Sequence, residues 1–212
     1  MPLLDLPALY AILDPEQTAG RPVEAVLHEL LKGGAHWLQL RVKSLTPTDF
    51  FELAKRVRAH TWTRHCTLII NDRVDIALAC NADGVHLGQE DLPLAAARKL
   101  LAKKIIGIST HNLAQAREAE NGGADYIGFG PLFGTSTKET GYAARGVEML
   151  RQIRSAVKIP IVAIGGITEQ NVQQVWRAGA DSAAIISDLL RADDIAGKVA
   201  QIMRQQQNSQ QL

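Results

Sequence analysis

The stretch Gly122-Gly123-Ala124-Asp125-Tyr126-Ile127-Gly128-Phe129 reads as a helix-ending glycine turn that feeds a short strand. Similar phrases precede other apolar runs: Gly33-Gly34-Ala35-His36, Asn81-Ala82-Asp83-Gly84 and Ala178-Gly179-Ala180-Asp181. Recurrence of one turn marks a repeated βα unit rather than a site. Counting outward, strands are expected at 8–13, 36–41, 66–70, 84–87, 105–108, 126–129, 161–164 and 183–186. Helices are expected at 22–32, 47–60, 73–80, 94–101, 112–121, 146–156, 169–178 and 194–204. Eight strands alternating with eight helices give α/β class and a closed (β/α)8 TIM barrel. Thr67-Leu68-Ile69-Ile70 and Ile161-Val162-Ala163-Ile164 are continuous rather than alternating, as strands covered on both faces should be. The competing doubly wound sheet usually carries a glycine-rich dinucleotide turn after its first strand, whereas Asp14-Pro15-Glu16-Gln17 follows Leu13 here.

The chain has 212 residues, 46% of them hydrophobic, enough for one sizeable core. A single catalytic domain is expected over 1–204, with 205–212 a polar, fraying tail. Lys and Arg number 23 against 22 Asp and Glu, interspersed, so neither nucleic acid nor a membrane surface is indicated as a partner. No basic leader or long apolar run is visible, and the expected location is the cytoplasm. Cys66 and Cys80 have no metal-ligand spacing and read as buried reduced thiols.

In such barrels chemistry sits where strands end. The residues there are Gln39-Leu40-Arg41-Val42-Lys43, Asn71-Asp72-Arg73, Gly88-Gln89-Glu90-Asp91 and Ser109-Thr110-His111-Asn112, with a long loop running from Gly130 to Lys138. Asp72 and Asp91 supply the one or two carboxylates that Mg²⁺ usually takes, the alternative being local pairing such as Asp72 with Arg73. Gly165 and Gly166 admit either a bare turn or, with Ser187, the phosphate cradle that barrels build after their last two strands. Thr135-Ser136-Thr137 beside Lys138 suits an anion-gripping lid. His111 is either a proton shuttle or a helix-capping residue, and His86, inside a strand, reads as structural.

Taken in order, Gln39 to Lys43, Ile70 to Asp75, Gly84 to Asp91, Gly128 to Pro131, Thr135 to Lys138 and Ile164 to Ile167 resemble the thiamine-phosphate synthase family from about Leu9 to Ile202. The resemblance implies a (β/α)8 transferase that joins 4-amino-2-methyl-5-hydroxymethylpyrimidine diphosphate to a thiazole phosphate, releasing pyrophosphate. It implies that Gln39, Arg41, Lys43, Asn71, Ser109 and Lys138 hold the diphosphate substrate, with Leu40 and Val42 in the same segment, and that Asp72 and Asp91 bind Mg²⁺. Thr135, Thr137, Gly166, Ile186 and Ser187 fall to the thiazole phosphate side, Ser136 to substrate binding without a side assigned, and Arg41, Lys43, Ser109 and Lys138 to catalysis. Lys138→Ala is then expected to lower turnover on the order of a hundredfold or more. Val42 and Gly134 depart from the common pattern, the glycine in place of a proline that would stiffen the loop.

A thiazole tautomerase of the same superfamily would rely on a histidine at the His111 position, but it has no need of the Asn71-Asp72, Gln89-Glu90-Asp91 and Thr135-x-Thr137-Lys138 set present here. A non-catalytic sensor would keep the phosphate cradle and be free to lose the acids and Lys138. A homo-oligomer is compatible with the sequence, which specifies no interface.

Overall fold

The structure, a computed structural model, describes residues 4–134 and 143–209. Among these residues eight parallel strands close into a barrel in chain order: β1 (Leu9–Leu13), β2 (Trp37–Leu40), β3 (Thr67–Asn71), β4 (Gly84–Leu87), β5 (Ile105–Thr110), β6 (Tyr126–Phe129), β7 (Ile161–Ile164) and β8 (Ser182–Ile185). Pairing of Tyr10 with Ala184 between β1 and β8 closes the ring and rules out an open sheet. The outer helices are α1 (Val23–Lys32), α2 (Pro47–Thr63), α3 (Val74–Ala79), α4 (Leu94–Leu101), α5 (Leu113–Asn121), α6 (Gly146–Ala156) and α7 (Val172–Arg177). A short α8 (Ser187–Leu190) and a long α9 (Ile195–Ser209) follow β8. No helix among the described residues is long and apolar enough to cross a membrane.

The strands face two cores. Leu9, Ala11 and Leu13 of β1 point outward into the layer shared with the helices, while Tyr10 and Ile12 point into the barrel with Trp37, Ile69, Tyr126, Val162 and Ala184. Both layers are apolar, so the alternation of the pleat leaves little trace in hydropathy. The parity nevertheless assigns the mouth: Gln39, Asn71, His86 and Ser109 share the inward face.

The recurring phrase is a helix stop with a definite geometry. Gly34, Asn81, Gly123 and Gly179 all have positive φ, and the next residue donates its N–H back to the last turn, as Ala124 does to Ala119 O at 3.0 Å. This is the Schellman closure, for which glycine and asparagine are suited. In three of the phrases the second residue after the positive-φ position is an aspartate that fastens the neighbouring strand. Asp83 accepts from Leu68 N at 2.8 Å and Arg58, Asp125 from Ile106 N at 2.7 Å and Arg98, and Asp181 from Ile161 N at 2.8 Å and Arg154. In the phrase before β2 the position is His36.

Three helices differ by three residues or more from their expected extents, α2 running on to Thr63 rather than ending at 60. α7 starts at Val172 rather than 169 because the Asn171 side chain ties the preceding turn, accepting from Thr168 N at 2.8 Å and donating to Gly166 O at 2.9 Å. α9 continues past 204 to Ser209. Glutamine is a good helix former and no glycine or proline interrupts the run, so the polar tail stays helical that far.

Candidate active site

The C-terminal ends of the strands surround a cavity of about 160 Å³ lined by Gln39, Arg41, Asn71, Ser109, Gly166 and Ser187, among others. Arg41 N donates to Leu13 O at 2.9 Å, extending the β1–β2 pairing to the rim. The Arg41 guanidinium then bonds the carboxylate of Asp14, which is wholly buried just after β1. Asp14 is committed twice, since it also accepts from Glu16 N at 3.0 Å. An arginine held this way presents its remaining donors in a fixed direction, which suits a phosphate.

Beneath the mouth lies a hydrogen-bonded chain of side chains. Gln39 Nε2 donates to Tyr10 OH at 2.9 Å, Tyr10 OH meets Tyr126 OH at 2.7 Å, Tyr126 OH meets His86 Nδ1 at 3.0 Å, and His86 Nε2 meets Ser109 Oγ at 2.9 Å. Burial pushes the Tyr10 phenol up to about 12, and burial together with the adjacent Tyr10 raises Tyr126 well above the ordinary range. Both phenols therefore keep their protons at neutral pH. The rings of His86 and Tyr126 stack at 5.5 Å, in space that glycines leave open: a Cβ at 128 would lie 2.9 Å from His86 Cε1, and one at 107 would overlap Tyr126.

At the rim Asp72 and Asp91 stand side by side. Asp72 takes left-handed backbone, φ 63°, which aspartate tolerates better than most residues, and its N–H donates to His86 O at 2.8 Å. Lys43 Nζ is 2.5 Å from Asp72 Oδ2, and Gly88 N donates to Asp91 Oδ2 at 2.6 Å. Burial first, and then the neighbouring Asp72, push the Asp91 carboxyl above its usual range, against the lowering effect of the Gly88 N–H. Two carboxylates crowded together in this way fit a hard divalent cation, which would relieve their repulsion. No cluster of three or more His, Cys, Asp or Glu suited to a metal occurs among the described residues, so the fit is that of a two-carboxylate site completed by substrate and water oxygens. The local alternative does not occur: Arg73 pairs with Asp75 at 2.5 Å.

On the opposite side, Gly165 and Gly166 have φ 101° and 62° and pass so close to the loop after β6 that a Cβ on either would come within 2.6 Å of Pro131 or Gly134 atoms. With Ile186 and Ser187 they line the cavity wall. His111 also lines it, its Nδ1 2.7 Å from Gly130 O.

The structure thus brings together Gln39, Arg41, Asn71, Ser109, Gly166, Ile186 and Ser187, with Lys43, Asp72 and Asp91 adjoining. It does not bring the side chains of Leu40 and Val42 there. Both pack in the outer core, because residues next to the inward-facing Gln39 and Arg41 must point the other way. Thr135, Ser136, Thr137 and Lys138 lie outside the described residues. Residues not singled out from the sequence are Tyr10, Asp14 and Tyr126, and His86 turns out to face the cavity rather than serve packing alone. The available signal was parity: each of Tyr10, His86 and Tyr126 is inward on its strand.

A family model described as thiamine monophosphate synthase matches residues 9–189. The thiamine-phosphate synthase of Chloroflexus aurantiacus is 45% identical over 194 residues, 92% of this chain and 90% of its own length. That of Syntrophomonas wolfei is 45% identical over 196 residues, 92% and 94% of the two chains. Among solved structures, thiamine phosphate pyrophosphorylase from Pyrococcus furiosus matches with a TM-score of 0.87 at 37% identity, covering 95% of this chain and 96% of that one.

Proposed function

The chain belongs to the thiamine-phosphate synthase family, and from that premise we propose how its barrel mouth works. The reaction joins 4-amino-2-methyl-5-hydroxymethylpyrimidine diphosphate to a thiazole phosphate, giving thiamine phosphate and pyrophosphate. It is a transferase reaction. In our reading the bond between the pyrimidine methylene carbon and the diphosphate oxygen breaks first, its electron pair leaving with pyrophosphate. The electron-rich aminopyrimidine stabilises the resulting cation, and the thiazole nitrogen lone pair then forms the new C–N bond. No base is required to activate the nucleophile.

The work of the protein is to receive the growing charge on pyrophosphate and to hold the two substrates in line. Arg41, Lys43, Ser109 and Lys138 donate to the diphosphate, with Gln39 and Asn71 orienting the same substrate. Asp72 and Asp91 would hold Mg²⁺, which when bound neutralises charge on the diphosphate oxygens. The thiazole phosphate takes the Gly166, Ile186 and Ser187 side, and Thr135 and Thr137 also bind it, with Ser136 between them in sequence. Leu40 and Val42 would contribute through the backbone of the β2 segment. We place the reaction in the cytoplasm, where the free, buried Cys66 and Cys80 stay reduced and both charged substrates are retained.

The observation that carries this reading is the convergence of Arg41, Asn71 and Ser109 on one cavity, with Gly166 and Ser187 on its far wall. Ser109→Ala tests it: kcat should fall on the order of a hundredfold, with little change in the KM of either substrate. A kcat within tenfold of the unaltered enzyme would remove Ser109 from the chemistry.

A further inference from the structure

The chain from Gln39 to Ser109 has a direction as well as a length. At its start Gln39 Nε2 is a donor and has no lone pair to accept with, so Tyr10 must receive there. Tyr10 and Tyr126 are buried phenols, each with one proton to give. Tyr10 has already accepted from Gln39, and its own hydrogen goes to Tyr126 OH, 2.7 Å away. Tyr126 in turn spends its hydrogen on His86 Nδ1 at 3.0 Å. His86 is then neutral, with its proton on Nε2, and that N–H points at Ser109 Oγ at 2.9 Å. Ser109 accepts from below, and its own hydrogen is left for the cavity.

The reverse order fails at its far end. A proton on His86 Nδ1 would make Tyr126 accept there and donate to Tyr10. The Tyr10 oxygen would then accept from both Gln39 and Tyr126, and its own buried hydrogen would be left without an acceptor among the described residues.

We infer that Tyr10, Tyr126 and His86 are positioning residues, forming a one-way hydrogen-bond relay that makes the Ser109 hydroxyl an obligate donor to the departing diphosphate. A serine hydroxyl left to itself can rotate and accept as readily as donate; in this site its hydrogen is aimed before substrate arrives, the preorganisation that lowers the cost of charge development. The relay's catalytic effect rests on Ser109 being a donor to the diphosphate, and the test separates the two.

The tautomer of His86 is read from ¹⁵N shifts of the free protein at mildly alkaline pH, with no turnover involved. The relay requires the Nε2–H form in the unaltered protein and a mixture of the two tautomers in Tyr126→Phe. Nδ1–H or a doubly protonated ring in the unaltered protein overturns it. Kinetically, Tyr126→Phe should lower kcat about tenfold with the KM for the diphosphate within about twofold. In a Ser109→Ala background the same change should cost less than about twofold further, because the relay then ends on no hydroxyl. Equal losses in both backgrounds, or no loss in either, contradict action through Ser109. Full turnover in Ser109→Ala alone defeats the premise and the catalytic part of the proposal with it, while the tautomer still reports on the relay itself.

Discussion

Lys43 Nζ and Asp72 Oδ2 stand 2.5 Å apart and join the ends of β2 and β3 across the barrel rim. Both side chains are partly open to solvent, so the pair adds little to stability. In the proposed mechanism a diphosphate would compete for the lysine and a divalent cation for the carboxylate, so binding of the two together would exchange one ion pair for two. Lys43→Met should raise the KM for the diphosphate at least about tenfold while leaving the melting temperature within a degree or two. An unchanged KM would show that Lys43 remains with Asp72 throughout.

Asp91→Asn removes one of two neighbouring negative charges while keeping an oxygen for the Gly88 N–H. The Mg²⁺ concentration for half-maximal activity should rise at least about tenfold. The check is a magnesium titration of activity, with the fold verified by circular dichroism. A half-maximal concentration equal to that of the unaltered enzyme would exclude Asp91 as a ligand.

Asp14→Ala leaves the Arg41 guanidinium, itself only 14% exposed, without its carboxylate, and uncaps the turn at Pro15–Gln17. Breaking such a pair from one side typically costs about 3–5 kcal/mol, and the KM for the diphosphate should rise as Arg41 loses its direction. Urea unfolding and steady-state kinetics on the same preparation read both effects. Loss of stability without any kinetic change would mean that Arg41 does not meet substrate.

Asp125→Ala is the contrasting case, at the far end of the barrel. It removes the acceptor shared by Ile106 N and Arg98. Stability should drop by about 1–3 kcal/mol, with kcat and KM unchanged. A large fall in kcat would contradict the division between a catalytic mouth and a structural base.

Cys66 separates burial from reactivity. Burial pushes its thiol up to about 12, so it remains protonated and unreactive to a disulfide reagent at neutral pH until the chain unfolds. Because the folded state favours the neutral thiol, this contribution to stability is complete below the ordinary thiol pKa. It is lost progressively as pH rises through the folded value. Rapid labelling of Cys66 in the native enzyme would contradict its burial.

How much of the fold and the site was legible in the sequence depended on which physical signal each residue left. The glycine phrases announced the βα repeat because a left-handed helix stop restricts residue type, and Gly34, Asn81, Gly123 and Gly179 all occupy that geometry. Strand ends then located Arg41, Asn71, Asp72 and Ser109. The floor of the site was quieter. Tyr10 and Tyr126 lie in strands buried on both faces, where an inward tyrosine and an outward leucine contribute alike to an apolar run. Asp14 leaves no local signal because its partner Arg41 is 27 positions away, and only the parallel pairing of β1 with β2 brings the two together. The same blindness suggested Arg73 for Asp72, whereas Arg73 turns to Asp75 and the strand register delivers Lys43.

The most direct measurement is of pyrophosphate release and thiamine phosphate formation by the purified protein supplied with both substrates, with Mg²⁺ and with EDTA. A metal-assisted transfer at the barrel mouth predicts equimolar products that require the metal, and their loss in Ser109→Ala and Asp91→Asn. Product formed equally well in EDTA would contradict the role of Asp72 and Asp91 as metal ligands, and no product beside an active control enzyme would contradict the assigned reaction.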